Sequence, residues 1–129
     1  MKSSSRATNE RKKLEQSVKD LQHALEFLDK AKKDTFFSAG ITKCFEVSME
    51  YAWKYFKAML ACEGLDAYSP KEAIKLAGRA GWIDNVEQWL DYLEDRNLAV
   101  HDYLGMGDPD VSETIRSYLQ DVSRLLSKT

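Results

Sequence analysis

Three side chains suited to acid–base and phosphate chemistry lie in one short stretch of the chain, between positions 96 and 103. Arg96 carries a permanent charge on a forked guanidinium, which matches the oxygens of a phosphate group. His101, one of two histidines in the chain, can accept or release a proton near neutral pH. Tyr103 adds a hydroxyl group two residues further on. A fixed cation beside a proton carrier can act on a phosphodiester without a metal ion.

A helix through this stretch would place the polar side chains around an apolar stripe. At about 100° per residue from Arg96, Tyr103 falls at about −20°, Asn97 at about 100° and His101 at about 140°. This places Arg96 and Tyr103 on one border of the stripe, His101 on the other, and Asn97 inside it. Asn97 is four residues before His101, so its amide could fix the imidazole tautomer. The predicted stripe consists of Val86, Trp89, Leu90, Leu93, Val100 and Leu104.

The same residues also fit a purely structural role. Arg96 has Asp91, Glu94 and Asp95 nearby in sequence as candidate ion-pair partners, and His101 could be a hydrogen-bonded histidine between two helices. An arginine five residues before a histidine arises in many helices by chance. The chain has no sequence motif of a catalytic triad, a P-loop, a zinc site or a dinucleotide site, so we predict neither a metal nor a cofactor.

Apolar spacing predicts the elements that must position these side chains. A stripe at 4-3-4-3 spacing begins at Leu14 and predicts a first amphipathic helix. Phe36, Phe37 and Gly40 interrupt the pattern and predict a turn. The second helix is expected over about 41–63. A short helix should follow, from the Ser69-Pro70-Lys71-Glu72 capping box to Gly78 and Gly81. The fourth helix is expected from Asp84-Asn85 to Gly105 and Gly107, and the last from 108–110 onward.

The second helix carries an apolar arc wider than one core-facing stripe requires. One face contains Ile41, Cys44, Ser48, Ala52, Tyr55, Met59 and Cys62, and the adjacent face contains Phe45, Met49, Trp53, Phe56 and Leu60. Such a helix either lies at the centre of a bundle or uses its extra face to meet a partner. Glu50 and Lys54 form a favourable pair four residues apart on this helix.

These elements predict an all-α protein, an up-and-down antiparallel four-helix bundle with one additional short helix. The 129 residues suffice for one domain with a real core. Residues 1–10 are polar and serine-rich, and we expect a flexible N-terminal arm there, followed by a single domain over 11–129. The content of 43% hydrophobic and 31% charged residues excludes disorder as the overall state.

The remaining composition narrows the setting in which the protein works. A net charge of −2 provides no global attraction for nucleic acid, so any RNA contact must be local. No apolar run approaches the roughly 20 residues of a membrane span, and we expect a cytoplasmic protein. Cys44 and Cys62 lie in one predicted helix, about 27 Å apart at helical rise, and we expect both to be buried and reduced. His23 is expected to be a solvated surface residue.

The chain resembles the nucleotidyltransferase substrate-binding proteins, part of the HEPN superfamily of small helical-bundle proteins. The resemblance runs from about Leu14 to Leu126. Its marks are Phe45-Glu46, Trp53-Lys54, Ser69-Pro70-Lys71-Glu72, Trp89-Leu90 and Arg96-Asn97-x3-His101-x-Tyr103, in this order and spacing.

The resemblance implies a function that composition does not. Such proteins form homodimers and bind a separate minimal nucleotidyltransferase encoded beside them. In related toxin–antitoxin pairs the HEPN member is a metal-independent endoribonuclease, whose arginine and histidine face their symmetry mates across a dimer cleft. The nucleotidyltransferase silences it by transferring AMP to the motif tyrosine. This chain would then use Arg96 and His101 as catalytic residues, Asn97 as a supporting residue and Tyr103 as the AMP acceptor, with RNA as the substrate.

One departure and two alternatives accompany this hypothesis. Asp102 adds a negative charge between His101 and Tyr103, which could raise the histidine pKa or repel an RNA phosphate. The alternative function is a non-catalytic subunit that presents a nucleotide or another substrate to the nucleotidyltransferase. A dimeric helical adaptor, in which the polar residues serve only packing, is the plainest option.

Overall fold

The computed structural model describes the backbone of residues 2–101 and 109–129 and the side chains of 5–97 and 112–129. The helices are α1 (Lys2–Ala24), α2 (Leu28–Ala31), α3 (Thr35–Cys62), α4 (Pro70–Arg79), α5 (Val86–His101) and α6 (Pro109–Lys128), with a 3₁₀ turn over Leu25–Phe27. No strand occurs in these ranges. The predicted all-α class is confirmed, with four long helices and the short α4; α2 is an extra turn between α1 and α3.

Side-chain pairs show that α1 and α3 are antiparallel. Arg11, early in α1, donates a hydrogen bond from Nη1 to the hydroxyl of Tyr55, late in α3, at 3.0 Å. Further along α1, the ammonium of Lys13 lies 6.0 Å from the ring centroid of Tyr51. Moving forward along α1 therefore means moving backward along α3.

The later helices continue the alternation. Trp89, early in α5, packs edge-on against Phe56, with the ring centroids 5.5 Å apart, and Arg96 later in α5 meets Glu50 earlier in α3. The α5–α6 pair runs antiparallel as well: Tyr92 of α5 contacts Asp121 of α6, whereas Asp84, just before α5, contacts Lys128 at the end of α6. The predicted up-and-down order is thus present.

Helix α3 is the central element of the bundle, which accounts for its wide apolar arc. It packs against α1, α2, α4 and α5, and Ser48 and Phe45 contact Tyr118 of α6. Four of its large apolar side chains, Phe45, Met49, Phe56 and Leu60, are each at most 1% exposed. Of the two explanations for the arc, the central position is therefore correct, and the arc gives no independent evidence for a partner.

The helix starts follow local capping chemistry. Ser69 Oγ accepts a hydrogen bond from Glu72 N at 3.1 Å, and Pro70 occupies the first turn, which confirms the predicted start of α4. Asn85 Oδ1 accepts from Gln88 N at 3.1 Å at the start of α5. These caps satisfy amide groups that have no partner within the helix.

The predicted turn at Phe36, Phe37 and Gly40 is wrong. Asp34 caps α3 by accepting from Phe36 N at 2.9 Å, so the helix begins at Thr35 and all three residues lie within its first two turns. The actual turn is the short connection before Asp34. A local carboxylate cap therefore outweighed the break in the apolar pattern.

Two glycines at the end of α4 have different roles. Gly81 ends the helix with a φ of +82°, while Trp82 N donates back to Ala77 O at 3.1 Å. Gly78, also predicted as a terminator, lies inside α4. A Cβ at Gly78 would be 2.2 Å from Val86 Cγ2, so this glycine allows α4 to approach α5 closely.

Helix α1 begins at Lys2, well before the first apolar stripe residue, Leu14. Residues 2–10 are therefore helical, a difference from the expected onset, because the polar residues there include few helix breakers. The division into a flexible arm over 1–10 and a domain over 11–129 stays a prediction.

Both cysteines are free, but they differ in exposure. Cys44 is half-buried, and burial together with the charge of Asp20 raises the pKa of its thiol. Cys62 is exposed, so the expectation that both are buried is wrong for Cys62, which is the last residue of α3 and lies beyond its last buried position. His23 is exposed as predicted, with Nδ1 2.7 Å from the Glu26 carboxylate.

Within the ranges described, no helix combines the length and the apolar character that crossing a membrane requires.

Trp89 is the centre of an aromatic cluster that fixes α5 in the bundle. It is 2% exposed and makes edge-to-face contacts with Phe56, Tyr92 and Tyr118, at centroid distances of 5.5, 5.7 and 5.8 Å. We expect Trp89→Ala to lower the free energy of unfolding by about 3–5 kcal/mol, measured by denaturant titration. The half-buried Trp82 is the control, and an equal or larger loss in Trp82→Ala would contradict this assignment of the core.

Candidate functional site

The buried face of α5 is rotated relative to the face predicted from sequence. The buried face contains Trp89, Tyr92 and Leu93; Tyr92 is fully buried and Leu93 is 9% exposed. Arg96 lies seven residues after Trp89 and continues this face, so it is not on a border of the stripe. Asn97, predicted to lie inside the stripe, is exposed.

Tyr92 is the cause of this rotation. Its hydroxyl donates to Asp121 Oδ2 of α6 at 2.6 Å, which allows a polar side chain to occupy a core position. Burial and the Asp121 carboxylate raise the phenol pKa, so the hydroxyl remains a donor at physiological pH. The predicted stripe omitted this residue.

Arg96 forms its ion pair with α3 and not with its own helix. Its Nη2 lies 2.9 Å from Oε2 of Glu50, a residue 46 positions away in sequence. Neither Asp91, Glu94 nor Asp95, the partners considered from sequence, forms an ion pair with Arg96 among the described residues. The contact crosses the α3–α5 interface at the half-buried end of that interface.

Glu50 binds three side chains through its two oxygens. Oε2 accepts from Trp53 Nε1 at 3.0 Å as well as from Arg96. Oε1 lies 3.5 Å from the ammonium of Lys54, which confirms the predicted pair. We call Glu50, Trp53, Lys54 and Arg96 the Glu50 cluster. Its formal charge is +1, because two cations share one carboxylate.

Most N–H groups of Arg96 have no partner among the described residues. Besides the contact to Glu50, this part of the chain offers one long hydrogen bond of 3.4 Å, from Nη1 to Asn97 Oδ1. Nε is buried and has no partner among the described residues. The side chain is 26% exposed, so part of the guanidinium can be reached from solvent. The arrangement can therefore bind an oxyanion without breaking the Glu50 contact.

The neighbouring surface of α5 is acidic. The pKa of Asp95 is raised, first by burial and then by the charges of Asp91 and Glu94. Arg96 does not offset this effect because its guanidinium is directed to Glu50. A phosphate would thus meet repulsion from this flank and attraction from the side of Lys54 and Arg96.

The remaining predicted site residues lie at or beyond the edge of what is described. His101 is the last residue of α5, and its side chain falls outside the described side chains. Asp102 and Tyr103 lie outside the described residues. Of the predicted site residues, the structure describes the side chains of Arg96 and Asn97. The hydrogen bond predicted between Asn97 and His101 stays a prediction.

Sequence reasoning missed Glu50 and Trp53 as members of the site. From sequence, the Glu50–Lys54 pair is assigned to helix stabilisation alone, and Tyr92 is left out of the apolar stripe of α5. If Tyr92 is included in the stripe, the helical angles place Arg96 on the core side. An arginine there needs a buried or half-buried carboxylate on another helix. Among the described residues, no three His, Cys, Asp or Glu side chains are grouped as metal ligands.

Comparison with known proteins identifies the class. The family described as nucleotidyltransferase substrate binding protein like matches residues 9–129, so the chain belongs to this family and the resemblance is confirmed. A chain in the crystal structure of a mutant toxin–antitoxin complex, MntA–HpeT, has a similar fold, with a TM-score of 0.77, 14% sequence identity and 94% of both chains covered. The curated proteins contain no match.

The acidic flank gives a test with a defined sign. Because the pKa of Asp95 is raised in the folded state, ionisation of this carboxyl disfavours folding: the loss of stability begins as the pH rises through the unfolded-state pKa and is complete above the folded-state pKa. We expect Asp95→Asn to raise the free energy of unfolding at pH 7, and the gain to vanish at about pH 3, where the carboxyl is protonated in both states. Denaturant titrations at the two pH values measure this, with Asp66→Asn in an exposed loop as the control. A gain that persists at the acidic pH would contradict the electrostatic cause.

Proposed function

We propose that this chain is the HEPN-type subunit of a two-protein system and that it binds a separate minimal nucleotidyltransferase. Two observations support the proposal. The family model covers residues 9–129, and the fold is similar to a chain of a toxin–antitoxin complex. Within this pair, the chain would be the toxin-like member and the nucleotidyltransferase would be its antitoxin.

The proposed activity is metal-independent cleavage of RNA, with Arg96 and His101 as catalytic residues and Asn97 as a supporting residue. The observation that carries the proposal is the geometry of Arg96: its guanidinium is held in place by Glu50 at 2.9 Å, yet most of its N–H donors have no partner within the described part of the chain. Arg96 is five residues before His101 at the end of the same helix. A fixed cation there could stabilise the charge that develops on a phosphodiester.

The reaction needs more groups than one copy of the site supplies. A base must take the proton of the ribose 2′-hydroxyl while that oxygen attacks phosphorus, and an acid must protonate the leaving 5′-oxygen. The product side then carries a 2′,3′-cyclic phosphate and a free 5′-hydroxyl. In a two-fold homodimer, the histidines of the two copies would serve as base and acid, and the two arginines would hold the phosphate. The homodimer is thus part of the proposal.

Tyr103 is the proposed control point. Transfer of AMP from ATP would form a phosphodiester on the Tyr103 oxygen and release pyrophosphate. The added group carries a negative charge and a nucleoside in the position that RNA must enter. Because Tyr103 follows His101 by two residues, this modification would lie close to Arg96 and His101 in sequence and block the cleft.

A second candidate function is a non-catalytic subunit that binds a nucleotide or another substrate for the nucleotidyltransferase. The acidic flank of Asp91, Glu94 and Asp95 favours it, because this flank repels the phosphates of a long RNA more than those of a small ligand. Asp102 would add to the repulsion. The two functions differ in one result: only the first requires the isolated protein to cleave RNA.

We expect the purified wild-type protein to cleave RNA in the presence of EDTA and Arg96→Ala to reduce the rate about 100-fold or more. His101→Ala should have at least as large an effect, because the other of the two histidines, His23, is exposed on α1 and paired with Glu26. Arg116→Ala, which removes an exposed arginine of α6, is the control and should keep the wild-type rate. Cleavage is measured on a labelled RNA by gel electrophoresis, with circular dichroism to verify folding. A wild-type protein that cleaves no RNA at any concentration would exclude the ribonuclease function and favour the second candidate.

We expect incubation with the partner nucleotidyltransferase and ATP to add one AMP to the wild-type chain and none to Tyr103→Phe. Intact-mass spectrometry measures the increment, and cleavage activity should fall in proportion to the modified fraction. Tyr68→Phe is the matched control because Tyr68 is 83% exposed and therefore accessible to an enzyme. An increment that survives in Tyr103→Phe would show that the acceptor is another residue.

A further inference from the structure

Glu50 contacts Arg96 in a way that, among the described residues, leaves the other donors of the guanidinium open to a ligand. An isolated carboxylate usually binds an arginine through both of its oxygens. Here Oε1 lies toward the Lys54 ammonium, and Oε2 is shared between Arg96 Nη2 and Trp53 Nε1. Glu50 therefore holds only one edge of the guanidinium.

The same contact keeps Arg96 away from the acidic residues of its own helix. Asp91, Glu94 and Asp95 are close to Arg96 in sequence; burial, and after it the charges of Asp91 and Glu94, raise the pKa of Asp95. An arginine released from α3 would be attracted to these carboxylates. An arginine side chain also has many rotamers, so its position needs a specific partner.

Burial of Nε adds a second constraint. This atom is enclosed and has no partner among the described residues, so the guanidinium is partly desolvated where it stands. A partly desolvated cation without a counter-charge is unfavourable and would move toward water. The Glu50 carboxylate, itself fixed by Trp53 and Lys54, is the group that offsets this effect.

We propose that Glu50 is the positioning residue of Arg96 and that it acts on RNA cleavage solely through this arginine. The inference rests on the proposed ribonuclease function for its activity readout. Glu50 touches neither RNA nor the reacting atoms; it keeps the guanidinium directed away from the acidic flank and toward the phosphate position. Trp53 and Lys54 in turn fix the carboxylate.

A double-mutant cycle tests the proposal. Glu50→Ala should lower kcat for RNA cleavage about 100-fold, because a misplaced catalytic group has effects of that order. The same substitution in an Arg96→Ala background should cause no further loss. Glu50→Gln, which keeps one acceptor oxygen, should recover part of the activity. Glu46→Ala removes an equivalent charge from α3 one turn earlier and serves as the matched control. Additive losses in the double variant would overturn the proposal.

A readout without RNA separates this inference from the proposed function. The Nε–Hε resonance of Arg96, assigned by its absence in Arg96→Lys, should exchange slowly with solvent in the wild type and rapidly in Glu50→Ala. Thermal melts verify that both variants are folded. An unchanged resonance in Glu50→Ala would overturn the positioning role even if the enzyme cleaves RNA. If the wild type cleaves no RNA but the resonance changes as expected, the ribonuclease function fails and the positioning of Arg96 by Glu50 stands.

Discussion

The contact between Arg96 of α5 and Glu50 of α3 is the interaction on which the candidate site depends. It connects a helix that ends at His101 to the central helix of the bundle, and it does so with a distance of 2.9 Å. A guanidinium on the buried face of a helix is unfavourable without a counter-charge. The carboxylate on α3 therefore fixes which way the arginine of α5 is directed, and so where a phosphate can meet it.

The packing of the first two turns of α5, which precede Arg96, makes this contact possible. Trp89 meets Phe56 and Tyr118, and Tyr92 bonds Asp121, so the first two turns of α5 are locked in rotation between α3 and α6. A helix fixed in rotation carries its next turn to a defined place, and Arg96 follows seven residues after Trp89. The aromatic core of the bundle thus fixes the position of Arg96, a polar residue near its edge.

The sequence predicted features that depend on neighbouring residues and missed those that depend on distant ones. The starts of α4 and α5 were predicted because Ser69 and Asn85 cap amides within three residues. The predicted rotation of α5 is wrong because Tyr92 behaves as a core residue. The partner of its phenol lies on another helix, and no local pattern shows that partner. Glu50 could not be assigned to Arg96 for the same reason: 46 residues separate them, and three nearer carboxylates were equally plausible. The central position of α3 was one of two alternatives until the packing of the other helices was known.

The proposed centre requires two copies of the protein, and a mixing experiment tests this requirement most directly. Wild-type and His101→Ala chains are refolded together in varying ratios, and RNA cleavage is measured against the wild-type fraction. If base and acid come from different copies, mixed dimers are inactive and the rate follows the square of the wild-type fraction. A rate that falls in simple proportion to that fraction would mean that each copy works alone, and it would contradict the shared centre.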